Sequence, residues 1–419
     1  MRMICGFFGR GLFARIAGAA VLLVGCWPVA DGPRPDASAG GQTAGSSALA
    51  PASLRDRSKQ TDTSGDKRES TVLAQASGRC CGFVGVRDFT AWERTLVEGA
   101  VVLSSPELTL PVPANEVVVS WNADAPAGTG LEVEARGIMP DHATKWYSMG
   151  RWSKDDGKFP RASVSGQKDA DGDVDTDTLV LTQPAPKIQL RVTLRFAPPA
   201  VSPTLKFIGI SALDTRAAAP ALDPNRAAWG KEVAVPSRTQ LGWPGGRGWC
   251  SPTSTDMALA FWSKRLARPE LDLPVPDAAH AIHDRVFGGT GNWPFNTAFA
   301  GSFPGMRAYV SRFGDIRELE DWVESGIPPI VSVSYAILKN QDPINDPGHL
   351  MVCDGFDQKG DIVLNDPAYH ADKGERCRRV FPRADFLKAW AKSRNTVYLI
   401  YPEGAKIPAN RYGDWEAQP

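Results

Sequence analysis

The chain has 419 residues, 47 Lys and Arg against 47 Asp and Glu, 42% hydrophobic, 9% aromatic and 22% charged residues, 40 Gly and 34 Pro. At roughly 100–200 residues per domain this length predicts two or three domains. Balanced charge gives no general pull on polyanions, so nucleic acid is not an expected partner. The composition is globular for most of the chain, while the Gly and Pro content requires stretches that do not pack.

In chain order, the first element is a leader. Arg2, Arg10 and Arg15 precede an apolar run over 16–24, too short for an ordinary spanning helix and suited to a secretory signal over 1–25. It ends Leu23-Val24-Gly25-Cys26, which resembles the lipobox of bacterial lipoproteins. That resemblance implies a lipidated Cys26 as the sole membrane contact of an exported cell-envelope protein. A plain signal cleaved nearby, giving a secreted protein, is the other reading. Residues 26–78, rich in Ala, Ser, Gly, Pro, Asp and Gln, cannot offset their ordering entropy by burial and are expected to form a disordered tether.

Residues 79–215 carry short, partly alternating apolar segments at 108–110, 117–121, 131–135, 178–181, 188–194 and 205–210, separated by Pro, Gly, Asn and Asp. This pattern predicts an all-β sandwich of jelly-roll type. Trp121, Trp146, Tyr147 and Trp152 are candidate stacking residues for a cell-envelope glycan, with core packing as the alternative. The acidic run Asp169 to Asp177 fails the EF-hand register, because Thr178 stands where the bidentate Glu belongs; a solvated loop or a calcium site of another kind remains.

A linker at 216–231 leads to a region with a different period. Helical spacing appears over 254–266 and 315–325, the latter ending before Gly326 as a C′ residue. Strands are expected at 330–335, 348–356, 361–365 and 396–401, and a helix at 384–392. Helices first and antiparallel strands later predict an α+β domain over 232–404, followed by a tail at 405–419.

The chemistry centres on three side chains. Cys250 sits in Trp249-Cys250-Ser251-Pro252, at the start of the first strong helix, where unpaired N–H groups favour a thiolate. The glycines at 245, 246 and 248 leave the sulfur open to an extended substrate. His349 begins the apolar run Leu350-Met351-Val352, and Asp366 ends the next strand. A two-residue hairpin loop at Gln358-Lys359 places Met351 opposite Asp366, with His349 as diagonal neighbour on the same face. A three-residue loop would flip that parity and turn Asp366 away. Asn365 is then the competing orienter of the imidazole.

Nucleophile, base and orienter in the order Cys, His, Asp fit thiol acyl transfer. The segment from Val235 to Tyr401 resembles the C39-like family of papain-fold cysteine peptidases: Val-Pro and Gln ahead of Cys-x-Pro and a helix, then Gly-His and an apolar run, then Asn-Asp-Pro. The resemblance implies a papain-like fold, Cys250 as nucleophile, His349 as general base and later acid, Asp366 as its orienter and Gln240 as side-chain donor of an oxyanion hole, with a peptide or protein as substrate. Ser251 replaces the usual glycine, and the interval from Gln240 to Cys250 is longer than in the family. A thiol acyl or peptidyl transferase and an inert surface-binding protein are the rival readings.

No cofactor or metal is expected. His280 and His283 lie three apart on an expected helix without a third ligand at a suitable interval, so a solvated helix face is the better reading. The loop Gly291-Asn292-Trp293-Pro294-Phe295-Asn296 is a candidate wall of the cleft. Export permits disulfides, and Cys353 with Cys377 is the favoured pair, while Cys80 and Cys81 stay unassigned. There is no Walker sequence and no dinucleotide fingerprint, which sets the chain apart from ATP-driven exporters carrying such a domain.

Overall fold

The computed structural model describes residues 79–417 except 198 and 347. The leader, Cys26 and the tether therefore lie outside the described residues. None of the described helices is long and apolar enough to cross a membrane.

The N-terminal region is sheet-rich: β1 (Cys81–Val86), β2 (Glu93–Val97), β3 (Ala100–Ser104), β4 (Leu108–Asp124), β5 (Thr129–Ile138), β6 (Tyr147–Trp152), β7 (Gly172–Asp175), β8 (Thr178–Phe196) and β9 (Thr204–Leu213). They form one hydrogen-bonded nine-stranded sheet with a path β1-β9-β4-β8-β3-β2. Sequence segments at 108–110 and 117–121 fuse into β4, and those at 178–181 and 188–194 into β8. Pro111, Pro113, Pro184 and Pro186 sit within the fused strands, where the β4–β8 ladder shifts register. Bulged positions tolerate a residue without an N–H, so proline is a poor stop signal there.

Of the four candidate stacking residues, Trp121, Tyr147 and Trp152 are buried and belong to the core. Trp146 is half-buried, with Arg136 and Arg191 each 4.6 Å from its ring centroid. The two ends of the acidic run are likewise spent on protein donors. Asp169 accepts from the Tyr147 hydroxyl at 2.5 Å and from the Asp171 and Gly172 N–H groups. Asp177 accepts from the Trp293 N–H and the Thr178 hydroxyl.

The C-terminal region mixes helices and strands: α1 (Cys250–Leu266), α2 (Val275–Ile282), α3 (Trp293–Ser302), β10 (Met306–Arg312), α4 (Ile316–Glu324), β11 (Ile330–Val333), α5 (Tyr335–Leu338), β12 (His349–Phe356), β13 (Ile362–Asn365), β14 (Arg378–Phe381), α6 (Arg383–Ala391) and β15 (Thr396–Pro402). Its sheet runs β10-β15-β11-β12-β13-β14 and is antiparallel throughout. Helix α1 is buried from Ser251 through Ser263 and lies on the sheet. Ser254 donates to the Leu350 carbonyl at 3.0 Å, and the Trp262 indole to the Ile400 carbonyl at 2.8 Å.

Several boundaries differ from the sequence reading. The segment around Asn292 is a helix start, because the Asn292 side chain caps the Phe295 N–H, as N-cap residues do. The strand expected over 330–335 stops at Val333, since Ser334 caps α5. The tail is part of the fold: Trp415 is buried against Phe313 and Trp322. The linker is pinned too, with the Trp229 indole donating to the buried Glu320 at 2.8 Å.

The two regions share a core. Phe295 of α3 packs edge-on against Trp121 and Trp152. Gly150, at φ +136°, admits that ring, because a Cβ there would stand 2.9 Å from it. The buried Asn122 side chain acts as a strand partner, donating to the Ala308 carbonyl at 2.6 Å and accepting from the Ala308 N–H at 3.1 Å. Asn122→Ala strands both groups in the interior, at about 1–3 kcal/mol each. Urea unfolding is expected to show one cooperative transition for both regions, with stability lowered by about 2–6 kcal/mol in this variant; separate transitions, or an unshifted midpoint, would refute a shared core.

Candidate active site

Cys250 is the first residue of α1 and is partly exposed. The helix starts there because Trp249 leaves helical geometry and Pro252, which needs no N–H partner, fits the first turn. Ser251, in place of glycine, turns inward and shares a hydrogen bond of 2.9 Å with the Tyr398 hydroxyl of β15.

His349 reaches the thiol from the first residue of β12. Asp366 follows β13, and the hairpin between them decides whether they meet. Its loop has three residues, Gln358 to Gly360, closed by the Asp357 N–H on the Asp361 carbonyl and by Gly360, at φ +84°. That loop pairs Phe356 with Ile362 and Gly355 with Val363, a register that would carry Asp366 to the wrong face. A bulge at Asp354 adds one residue, after which Cys353 pairs with Leu364 and Val352 with Asn365. One extra residue reverses side-chain parity. Extending the restored register sets Asp366 beside Met351, on the face of His349. The expected juxtaposition is thus reached through a loop of the other length and a compensating bulge.

His349 Nε2 lies 2.8 Å from Asp366 Oδ1, both buried. Nδ1 is left as the ring nitrogen not engaged by Asp366, and the thiol and the imidazole each shift the other's acidity. Asn365 turns elsewhere and donates to the Val235 carbonyl at 3.3 Å, so the contact to the ring is made by Asp366.

Burial opposes charge on all three groups, and their mutual contacts overcome it. For Cys250, burial pushes the thiol up, but the His349 ring and the N–H groups of Leu350 and Ser251 bring it below the ordinary thiol value. For His349, burial works downward, while Asp366 and Cys250 raise it to about 9. For Asp366, burial works upward, while His349, Tyr335 and the Ala368 N–H hold it at about 2. The combination favours a thiolate–imidazolium pair with an ionised aspartate behind it.

Two further side chains complete the site and carry no sequence signal. Tyr335 stacks on the His349 ring at 4.1 Å between centroids, and its hydroxyl donates to Asp366 Oδ2 at 2.5 Å. It was hidden by the strand reading of its segment. Arg379 donates to the same oxygen at 3.1 Å. The Asp366 carboxylate is thereby fully engaged, as a buried carboxylate must be.

Gln240 is buried, but its amide donates to the carbonyls of Gly246 at 3.1 Å and Arg247 at 2.7 Å. In this arrangement both amide protons brace the long loop ahead of Cys250. Cys353 and Cys377 are buried free thiols rather than a disulfide. The Cys377 sulfur instead bonds the Asp366 carbonyl at 3.5 Å, and burial raises its thiol to about 12. Cys80 and Cys81 are also free, with sulfurs 3.7 Å apart. His280 lies edge-on to Trp249 at 5.9 Å, while His283 is the residue after α2. No metal-binding group of three or more His, Cys, Asp or Glu occurs among the described residues.

Asp366→Asn removes the charge that raises His349. The imidazolium should then lose its proton well below pH 9, and the thiolate it stabilises should shrink at neutral pH. Alkylation of Cys250 by iodoacetamide at pH 7, followed by peptide mass mapping, is expected to slow about tenfold, the equivalent of one pKa unit. An unchanged pH profile would contradict the coupling.

Comparison with known proteins places two family models on the chain: the peptidase C39 N-terminal domain over residues 56–212, and the peptidase C39-like family over residues 232–398. The first begins within the segment read as tether. No curated protein matches the sequence. A solved structure titled "Structural basis for the promiscuous specificity of the carbohydrate-binding modules from the beta-sandwich super family" is similar at 16% identity and a TM-score of 0.14. The match covers 33% of this chain and spans about half, 54%, of that one. A likeness of that size carries no inference about ligand.

Proposed function

The chain belongs to the C39-like peptidase family and carries the N-terminal domain that goes with it, and from this premise we propose an exported cysteine peptidase that hydrolyses peptide bonds through a Cys-His-Asp acyl-enzyme. The observation that carries the reading is the 2.8 Å bond from His349 to a buried Asp366, with the Cys250 thiol electrostatically coupled to that imidazole from the head of a buried helix. The reading extends to a papain-like arrangement of the C-terminal domain.

In the proposed mechanism the Cys250 thiolate attacks the scissile carbonyl, forming the S–C bond while the carbonyl electron pair moves to oxygen. The His349 imidazolium gives its proton to the departing amine as the C–N bond breaks. Neutral His349 then takes a proton from water, the hydroxide adds to the thioester, and the thiolate leaves. Asp366 stays ionised throughout and holds the ring in one orientation.

The tetrahedral oxyanion needs donors. The Cys250 N–H lies in the first helical turn, where no intrahelical acceptor exists, and it suits that task. Gln240 can join only by releasing one of its loop carbonyls. We assign it first to bracing the loop, and removing one oxyanion donor elsewhere costs about 100–1,000-fold.

Export through the leader and anchoring at Cys26 remain part of the proposal, resting on the sequence of residues 1–26. Glycan binding does not, because three of its four aromatic candidates are core residues.

Cys250→Ala is expected to lower turnover of a mixed fluorogenic peptide library by about 10⁴-fold or more, and rapid quenching of the wild type should trap an acyl adduct on the Cys250 peptide by mass. Retained turnover in the alanine variant would discard the mechanism.

A further inference from the structure

Two loops tied to the segment that leads into Cys250 carry exposed apolar side chains. Val286 and Phe287 are 54% and 46% exposed, and Trp243, on the loop ahead of Cys250, is 46% exposed. Single exposed apolar side chains are ordinary, but several on loops joined just ahead of the proposed nucleophile are candidates for a contact surface. The two loops are joined: the Phe287 ring lies over Gly289 and Gly291, and Thr290 between them donates to the Gly248 carbonyl at 2.9 Å, two residues before Cys250.

The root of this loop is held by the N-terminal domain. Asp284 is fully buried. One of its oxygens accepts from the Ser163 N–H of that domain at 2.9 Å, and from the N–H groups of Val286 and Phe287 at 3.0 and 3.1 Å. The other accepts from Asn292 at 3.0 Å. The Asp284 N–H closes the loop on the Gly289 carbonyl, and the Gly288 N–H on the Asp284 carbonyl. Arg161, a buried residue of the N-terminal domain, donates to the His280 carbonyl at 2.9 Å, and Asp156 pairs with Arg285 at 2.9 Å. The His280 ring in turn meets Trp249. The N-terminal domain thus reaches the nucleophile through two short chains of contact.

We propose that residues 284–290 form the specificity wall of the thiol site, with Phe287 presented to an apolar side chain of an extended peptide, and that the N-terminal domain sets its position through Asp284. The wall rests on the peptidase reading above. Phe287 is a substrate-contacting residue in this assignment, and Asp284 is a positioning residue.

Burying an apolar side chain is favourable in proportion to the area removed from water, so loss of the ring should be felt by apolar substrates and hardly by polar ones. The test uses the full chain and two fluorogenic peptides from a cleaved sequence that differ only in Leu or Ser beside the scissile bond. Phe287→Ser is expected to reduce the Leu-to-Ser ratio of kcat/KM about tenfold. Asp284→Asn, with folding checked by its melting temperature, is expected to raise KM for the Leu peptide while Cys250 alkylation keeps its wild-type rate. An unchanged ratio in Phe287→Ser, with the wild type active, overturns the wall alone. Failure of the wild type to cleave any peptide despite rapid alkylation of Cys250 overturns the peptidase reading and the wall with it.

Discussion

A carboxylate placed where water cannot reach it is the constraint around which the C-terminal domain is organised. Asp366 is fully buried, and an isolated buried charge is not tolerated. It is accommodated because four groups converge on it: the His349 ring, the Tyr335 hydroxyl, the Arg379 guanidinium and the Ala368 N–H. Ala368 is local, but the other three come from separate stretches of chain, so the carboxylate is satisfied only after the sheet has formed. The same convergence fixes the imidazole by stacking on one side and by a bond at one edge. It leaves one nitrogen for the thiol, and a structural requirement thereby becomes a chemical one.

The second organising fact is that the N-terminal region is not a separate bead. Asn122 pairs with the backbone of β10, Phe295 fills a gap between two tryptophans of the other region, and the C-terminal segment returns to cover both. Arg79 and Arg87 pair with Asp414 and Glu416. A binding module on a flexible joint would leave such surfaces polar. Here they are buried and hydrogen-bonded, which makes the N-terminal region a structural partner of the C-terminal domain.

Where periodicity was strong the chain was legible. The α1 and α4 helices and the β12, β13 and β15 strands follow from apolar spacing and end signals. Failures cluster where a local signal was overridden. Proline did not interrupt β4 or β8, because the ladder is irregular there. Asn292 opened a helix instead of ending a loop, since its side chain found an N–H to cap. Tyr335 was assigned to a strand because nothing in Ile-Val-Ser-Val-Ser-Tyr announces that Ser334 will turn the chain. The cysteine pairing failed for a spatial reason: burial in an apolar strand accounts for Cys353 without a bond, and Cys377 is taken up by the Asp366 carbonyl.

The sequence by itself determined the identity and order of the three proposed reacting groups, because a cysteine opening an apolar helix, a histidine opening an apolar strand and an aspartate closing the next are all local patterns. Tertiary structure alone decided that the aspartate faces the histidine. Strand parity changes with every inserted residue, and neither the three-residue loop nor the bulge at Asp354 that cancels its effect leaves a mark in composition or spacing. It also decided that the wall beside the thiol is held from the N-terminal domain, since the Ser163 N–H and the Asp284 carboxylate are 121 positions apart and meet only when both regions are folded.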